Sequence, residues 1–118
     1  MEINFFEPDS VPQPKDKVKI ESVVATPYPD GWRVRFVIEV TPFQERPNLE
    51  IHIRRADGHD VAHLSVIETM HRHMEFTIHI RGVESPPGTY TAGVDLYYDG
   101  EQATVQDRRE VTFTVEGK

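Results

Sequence analysis

The sequence predicts an all-β protein, folded as a two-sheet antiparallel sandwich of about seven strands. Three observations lead to this prediction. Apolar and polar residues alternate along several short segments, as in strands that bury one face. Turn-forming Pro, Gly, Asp and Asn residues separate these segments at short, regular intervals. No segment shows the 3.6-residue period of an amphipathic helix.

Length and composition limit the possible classes. The chain has 118 residues, a net charge of −7 and no cysteine. This length corresponds to one domain. The negative charge disfavours nucleic-acid binding and binding to an anionic membrane, because both need clustered Lys and Arg. The absence of cysteine excludes disulfides and thiolate metal sites. We therefore expect no nucleic-acid partner, no membrane partner and no cofactor.

The N-terminus lacks the basic stretch and apolar core of a signal peptide, and no apolar run of about 18 residues occurs. We therefore expect a cytoplasmic protein as the chain stands, or an extracellular one if the chain was excised from a longer exported protein.

Residues 1–16 are expected to form an extended N-terminal arm, and residues 17–118 a single sandwich domain. The prolines of the arm disfavour helix. Its apolar residues either tuck over the sandwich edge or dock on another chain. These residues are Ile3, Phe5 and Phe6.

The first two strands are predicted at residues 17–26 and 32–41. The first begins with clean alternation, and Val23-Val24 indicates a bulge or a change of phase. The second has the strongest two-residue period in the chain. Its side chains expected in the core are Trp32, Val34, Phe36, Ile38 and Val40.

A connection at residues 41–48 leads to the third strand, at residues 49–55. Asp57-Gly58 is a hairpin signal that joins it to a fourth strand at residues 60–68. The inward side chains expected on the third strand are Leu49, Ile51 and Ile53, and on the fourth Ala62, Leu64 and Val66.

The fifth strand is predicted at residues 73–81, and its inward side chains are Met74, Phe76, Ile78 and Ile80. The last strand ends with inward Val111, Phe113 and Val115. Ala103 and Val105 share that parity, so this strand is expected to be long, with a bulge or bend near residues 107–109.

The sixth strand lies within residues 85–98, which read SPPGTYTAGVDLYY. Pro86 and Pro87 stiffen the chain before it, Gly88 permits an unusual dihedral, and the Tyr90 hydroxyl can bond a backbone group of the corner. The inward set is Tyr90, Ala92, Val94, Leu96 and Tyr98.

The segment VESPPGTYTAGV resembles the corner before the sixth strand of immunoglobulin-like and fibronectin type III-like bacterial modules, where a Tyr closes the crossover. The terminal VTFTV is similar to their last strand. The resemblance implies an immunoglobulin-like sandwich. It implies no function, because proteins with this architecture have many different functions.

One open sheet face is a candidate binding surface. Tyr97 points outward by parity, as do His52 and Arg54 on the third strand. If the third and sixth strands are neighbours, these side chains share one face. An exposed aromatic among polar groups can anchor a protein or stack on a sugar. Ordinary cross-strand pairing explains the same pattern. Phe43 is a second candidate, either as a lid over the core or as an exposed anchor.

Histidines suggest a metal site only weakly. His71 and His73 are two residues apart, with Glu75 next along the strand and His63 as a third imidazole from elsewhere. Same-face neighbours lie about 7 Å apart, which is close enough to share an ion. No metal-binding motif accompanies them. We therefore expect a solvated polar face and no metal.

An enzyme is not expected. The serines lie outside any nucleophile-elbow motif, and no Gly-rich loop has the spacing of a phosphate site. The sequence favours a non-enzymatic protein–protein interaction module with an unknown protein partner, or with a second copy that pairs at an edge strand. The alternatives are a carbohydrate-binding accessory domain that uses Tyr97, and a passive structural spacer.

Overall fold

The computed structural model describes residues 11–98 and 105–116 and contains seven strands. The strands are β1 (Ile20–Pro27), β2 (Arg33–Val40), β3 (Asn48–Arg55), β4 (Asp60–Val66), β5 (His73–His79), β6 (Gly88–Tyr97) and β7 (Val105–Val115). A single 3₁₀ turn, Lys15–Lys17, precedes them. None of the helical structure in the described ranges is long and apolar enough to cross a membrane.

The strands form two antiparallel sheets, which confirms the predicted immunoglobulin-like sandwich. One sheet has the order β1-β2-β5 and the other the order β4-β3-β6-β7. The chain therefore crosses between the sheets after β2, β4 and β5. The third and sixth strands are neighbours, as the predicted binding surface requires.

The core lies between the sheets and is built from the alternating apolar positions. Three aromatic rings occupy its centre. The Tyr90 and Phe113 rings stack with centroids 5.3 Å apart, and Phe36 meets Phe113 edge-on at 6.2 Å. The predicted inward residues that are fully buried include Val34, Phe36, Ile38, Val40, Leu49, Ile51, Ile53, Ala92, Val94 and Leu96. The strong two-residue period of β2, β3 and β6 thus identified the core correctly.

The corner before β6 has the predicted construction. The Tyr90 hydroxyl donates a hydrogen bond to the Pro86 carbonyl. Gly88 has φ +147°, a conformation that side-chain-bearing residues rarely adopt. Arg55 donates from its guanidinium to the carbonyls of Ser85 and Pro87, each at 2.9 Å. The corner is therefore fixed by side-chain bonds from both β3 and β6.

The β1–β7 seam, where the edges of the two sheets meet, is held by side chains. The Ile20 N–H donates to Asp107 Oδ2 at 2.7 Å, and Arg109 Nη2 donates to the Ile20 carbonyl at 2.8 Å. The Gln106 amide donates to the carbonyls of Lys15 and Val18. Polar side chains of β7 thus connect it to the start of β1, although the two strands belong to different sheets.

A bulge in β7 makes this seam possible. Leu96 pairs with Asp107 and Tyr97 with Val105, so Gln106 is the extra residue. The predicted bulge or bend is thus a bulge, one residue before the predicted range 107–109. It also reverses the parity expected for Val105, which is 41% exposed. Ala103, the other residue assigned that parity, lies outside the described residues.

Three expectations for the first two strands need correction or refinement. β1 begins at Ile20 and not at residue 17, because the 3₁₀ turn after Pro14 comes first. The predicted phase change is present, but the register shift lies between Ile20 and Ser22, before the predicted Val23-Val24. Trp32 is 40% exposed and not part of the core, because β2 begins only at Arg33.

The buried side chains of β4 follow the predicted two-residue period only in part. Ala62, Leu64 and Val66 are half-buried and pack against the core as expected. Val61 is the fully buried residue of this strand, which the two-residue period did not predict. The cause is a bulge: Ile53 pairs with Ala62 and Arg54 with Asp60, so Val61 has no partner on β3 and turns inward.

The described part of the N-terminal arm lies against the connection between β2 and β3. The Gln13 N–H donates to the Pro42 carbonyl at 2.9 Å, and the Gln44 N–H donates to the Gln13 carbonyl at 3.0 Å. Ile3, Phe5 and Phe6 lie outside the described residues.

Candidate functional site

The outer face of the four-stranded sheet carries three of the four predicted binding residues. β3 and β6 pair directly, with His52 opposite Gly93 and Arg54 opposite Thr91. Tyr97 lies on the same face, at the end of β6. His52 and Arg54 are exposed, whereas Tyr97 is half-buried. The structure therefore places these three on one sheet face, with Tyr97 and Arg54 at opposite ends of the β3–β6 pair, and leaves Phe43 elsewhere.

Glu50 is the centre of a polar cluster on this face, called here the Glu50 cluster and comprising Glu50, His52, His63, Ser65 and Tyr97. Glu50 accepts hydrogen bonds from the Ser65 hydroxyl at 2.9 Å and the Tyr97 hydroxyl at 3.0 Å. His63 Nε2 lies 2.5 Å from Glu50 Oε1. Burial alone would raise the pKa of the Glu50 carboxyl, but these bonds lower it. Glu50 is thus an ionised acceptor at neutral pH.

His52 and His63 form a stacked pair beside Glu50. They are directly opposite each other in the β3–β4 ladder, with ring centroids 4.6 Å apart and an interplanar angle of 14°. Sequence reasoning assigned the two histidines to different roles. The hairpin signal at Asp57-Gly58 could have suggested that they face each other, because it makes β3 and β4 antiparallel neighbours.

An open groove of about 600 Å³ lies beside the cluster, across β3, β6 and β7. Gly93 creates its floor, because it has no side chain between His52 and Glu110 in the register. Arg108 pairs with Asp95 at 2.6 Å on one side, and Arg54 pairs with Asp60 at 3.0 Å near the other. The groove is therefore polar, and its charges largely compensate one another.

A second surface lies at the end of the sandwich, on the loop at residues 67–72 that joins β4 to β5. Ile67 is 60% exposed and Met70 is 68% exposed, the largest exposed fractions among the large apolar side chains of the described residues. The sequence prediction placed Ile67 and Glu68 in the fourth strand, but β4 ends at Val66, and it gave residues 69–72 no role beyond a turn. An exposed Met in that predicted turn was the signal that the segment carries a surface of its own.

Buried polar side chains hold the 67–72 loop in place. The Glu68 N–H donates to Asn48 Oδ1 at 2.7 Å, and the Thr69 N–H donates to the Pro47 carbonyl at 3.0 Å. The Thr69 hydroxyl bonds the His71 carbonyl and Met74 Sδ. Asn48 and Thr69 are both buried. Glu68 is held at φ +49°, so the loop has one defined shape.

Phe43 lies next to this end of the molecule, in the connection between β2 and β3. It is half-buried and packs against the core, which makes it a lid and not an exposed anchor. Tyr98 packs nearby, and its hydroxyl donates to the Glu45 carbonyl at 3.0 Å. Burial raises the pKa of Tyr98 to about 12.

The structure does not bring together the histidines first considered for a metal. His73 hydrogen-bonds Glu39 at 2.9 Å and Glu75 at 3.1 Å, on the outer face of the three-stranded sheet. These bonds raise the pKa of His73. His63 lies on β4 in the other sheet, because the chain crosses between sheets in the 67–72 loop. It therefore cannot complete a site with His71 and His73.

Comparison with known proteins shows the fold and no more. No protein-family model and no curated protein matches the chain. Among solved structures, a Bifidobacterium dentium β-glucuronidase complexed with coumarin-3-O-glucuronide matches 83% of this chain at 17% identity, with a TM-score of 0.56.

A glycosyl hydrolase family 2 member from Bacteroides cellulosilyticus also covers 83% of this chain, at 14% identity and TM-score 0.56. A Ruminococcus gnavus β-glucuronidase in complex with D-glucaro-1,5-lactone covers 84%, at 14% identity and TM-score 0.54. The chain spans only 18%, 15% and 16% of these three proteins. The sandwich therefore recurs in them as a small part of a much longer chain.

Proposed function

We propose that this protein is a non-enzymatic interaction module that docks a protein partner through the 67–72 loop. The observation that carries the proposal is the display of Ile67 and Met70 on a loop fixed by buried hydrogen bonds. The partner surface that fits them is an apolar pocket. Met suits such a contact, because its flexible thioether adapts to an irregular cavity.

Energetics favour this surface over the polar groove. Burying a large aliphatic side chain contributes about 1.5–3 kcal/mol, so two of them can supply the central anchors of an interface. A loop already held by Asn48 and Thr69 loses little conformational entropy on binding. In the groove, in contrast, Arg54 and Arg108 are already engaged in ion pairs with Asp60 and Asp95.

The matched solved structures are consistent with this role, since there the fold is a small part of a long chain. Domains of one long chain commonly share interfaces, so the partner of the 67–72 loop is either a further domain of the same chain or a separate protein.

A carbohydrate-binding accessory role is the second candidate. Two of the matched solved structures are β-glucuronidases, which supports it. The state of Tyr97 argues against stacking on a sugar, because the ring is half-buried and its hydroxyl is engaged by Glu50. Titration with glucuronides and with oligosaccharides tests this role, and saturable binding lost in Tyr97→Ala would favour it.

The test of protein docking compares three tag-immobilised forms of the full chain. The wild type and a Val24→Ser control should retain the same partner from native lysate, whereas the double variant Ile67→Ser, Met70→Ser should lose it. Val24 is a matched control because it is also exposed, at 53%, but lies on β1 and not on the loop. The retained protein is then purified and its dissociation constant measured against all three forms.

Equal affinity for all three forms would contradict docking through the loop. Light scattering after size-exclusion chromatography checks whether the partner is a second copy. A strict monomer with no retained protein would favour the passive spacer. Since both substituted residues are exposed, loss of folding does not confound the result.

A further inference from the structure

We infer that Glu50, His52 and His63 form a binding site for a divalent transition-metal ion of the zinc type. Their ligand atoms, one from each side chain, all lie within 4.8 Å of one another. In the two described ranges this is the only group of three His, Cys, Asp or Glu side chains that meets this distance. The site is independent of the proposed docking loop.

The register of the β3–β4 pair creates this arrangement. His52 and His63 are direct cross-strand partners, and Glu50 lies two residues before His52, on the same face. The backbone of both strands is fixed by the sheet, so the three Cα positions are preorganised. Exposure of both imidazoles leaves an entry path from solvent.

Only side-chain rotation is needed to complete the coordination. Zn–N and Zn–O bonds of about 2.0–2.2 Å place the ligand atoms of a tetrahedral ion about 3.3 Å apart. The three ligand atoms already lie within 4.8 Å of one another, so the shift for each is small. The stacked rings must tilt apart, and the metal replaces the present bond between His63 and Glu50.

Neighbouring hydroxyls support the carboxylate. Ser65 and Tyr97 both donate to Glu50, from opposite neighbours of β3. Such outer partners fix the orientation of a metal-binding carboxylate and typically contribute a factor of about 10–100 to affinity.

The donor set selects the class of ion. Two imidazole nitrogens and one carboxylate oxygen suit Zn²⁺, Co²⁺, Ni²⁺ and Cu²⁺. Ca²⁺ and Mg²⁺ prefer sites made of oxygen ligands alone. Three protein ligands leave a further position open towards solvent, as in metal sites that take a water or an exogenous ligand.

The test is calorimetric titration of tag-free, full-length protein with ZnCl₂ in a non-coordinating buffer. The wild type should bind one ion per chain. His52→Gln and His63→Gln should each weaken binding at least about tenfold, and Ser65→Ala should weaken it by a smaller factor. MgCl₂ should give no binding heat. The control His73→Gln alters an exposed histidine of the other sheet and should bind as the wild type does.

A second measurement separates binding from folding. Zn²⁺ should raise the Tm of the wild type and of His73→Gln, EDTA should reverse the rise, and the Tm of His63→Gln should not respond. Equal zinc affinity in the wild type and in both His52→Gln and His63→Gln would overturn the inference. So would loss of binding in His73→Gln, or the absence of saturable binding in the wild type.

Discussion

The hydroxyl of Tyr90 donates a hydrogen bond to the backbone carbonyl of Pro86, four residues earlier in the chain. The Tyr90 ring is at the same time fully buried and stacked on Phe113. One side chain thus connects the corner before β6 to the centre of the core. This is the role that the resemblance of the segment to immunoglobulin-like corners implied for Tyr90.

Replacing Tyr90 with Phe should lower stability without altering the fold. The ring remains packed, but the Pro86 carbonyl loses its donor, which should reduce the free energy of unfolding by about 1 kcal/mol. Urea denaturation measures the change. Tyr28→Phe is the control, because its hydroxyl bonds Thr77 at an exposed site and should change stability by less than about 0.5 kcal/mol. Equal effects of the two substitutions would contradict the role given to the corner.

Two glycines of β6 should respond in opposite ways to alanine. Gly88→Ala should destabilise the protein by more than about 1 kcal/mol, because φ is +147° and a Cβ would lie 3.2 Å from the Arg55 side chain. Gly93→Ala should be neutral or stabilise by up to about 1 kcal/mol, because its Cβ would meet only Glu110, at 4.0 Å. Thermal melting followed by circular dichroism compares them. A large loss in Gly93→Ala would be the opposite of what the structure implies.

The β1–β7 seam should depend on Asp107. Asp107→Ala removes the acceptor of the buried Ile20 N–H and should lower the free energy of unfolding by about 1–3 kcal/mol. Arg108→Ala, next in sequence, removes only an exposed ion pair with Asp95 and should lower it by less than about 1 kcal/mol. Chemical denaturation of both variants ranks them. The reverse order would refute the structural role of the seam.

His73 should make stability depend on pH. Its pKa is raised above the ordinary value of 6.5 by the hydrogen bonds to Glu39 and Glu75. The contribution of the protonated imidazole is therefore complete below about pH 6.5 and is lost as the pH rises through the higher, folded-state pKa. Arg35 also pairs with Glu75 and keeps that carboxylate occupied after His73 loses its proton.

The measurement is Tm against pH between 5.5 and 8.5 for the wild type, His73→Gln and the control His79→Gln. The wild type and His79→Gln should lose stability across this window, and His73→Gln should lose less. Below this window the trend reverses, because the pKa values of Glu39 and Glu75 are lowered and their contribution disappears as they protonate. Parallel curves for all three proteins would rule out the His73 contribution.

The alternation of apolar and polar residues predicted the fold well, because successive side chains of a strand point to opposite faces of the sheet and only one face is buried. Phe36 and Val94 were assigned to the core for this reason, and both are fully buried. The period fails where a strand starts or bulges. Trp32 lies one residue before β2, and Val61 lies in a bulge, so parity gave the wrong side for both.

The site was harder to predict, because it depends on which strands pair and in which register. The outward positions of His52, Arg54 and Tyr97 follow from each strand alone. That Tyr97 bonds Glu50 follows only from the register between strands. The one sequence signal that His63 lies opposite His52 was the Asp57-Gly58 hairpin. Because the strand pairing was unknown, sequence reasoning grouped His63 with His71 and His73. A crossover of the chain between the two sheets separates His63 from them.

The β1–β7 seam also sets how the sandwich would carry mechanical load. β1 and β7 lie side by side and run in the same direction, since Ile20 faces Asp107 while Gly31, beyond the end of β1, approaches Val115. A force applied between the two ends of the described chain would shear these strands past each other. The bonds resisting that shear come from three side chains, Gln106, Asp107 and Arg109, which can be removed one at a time. The force needed to extend this domain can therefore be changed by substitution at three neighbouring positions. The backbone pairing of both sheets stays intact.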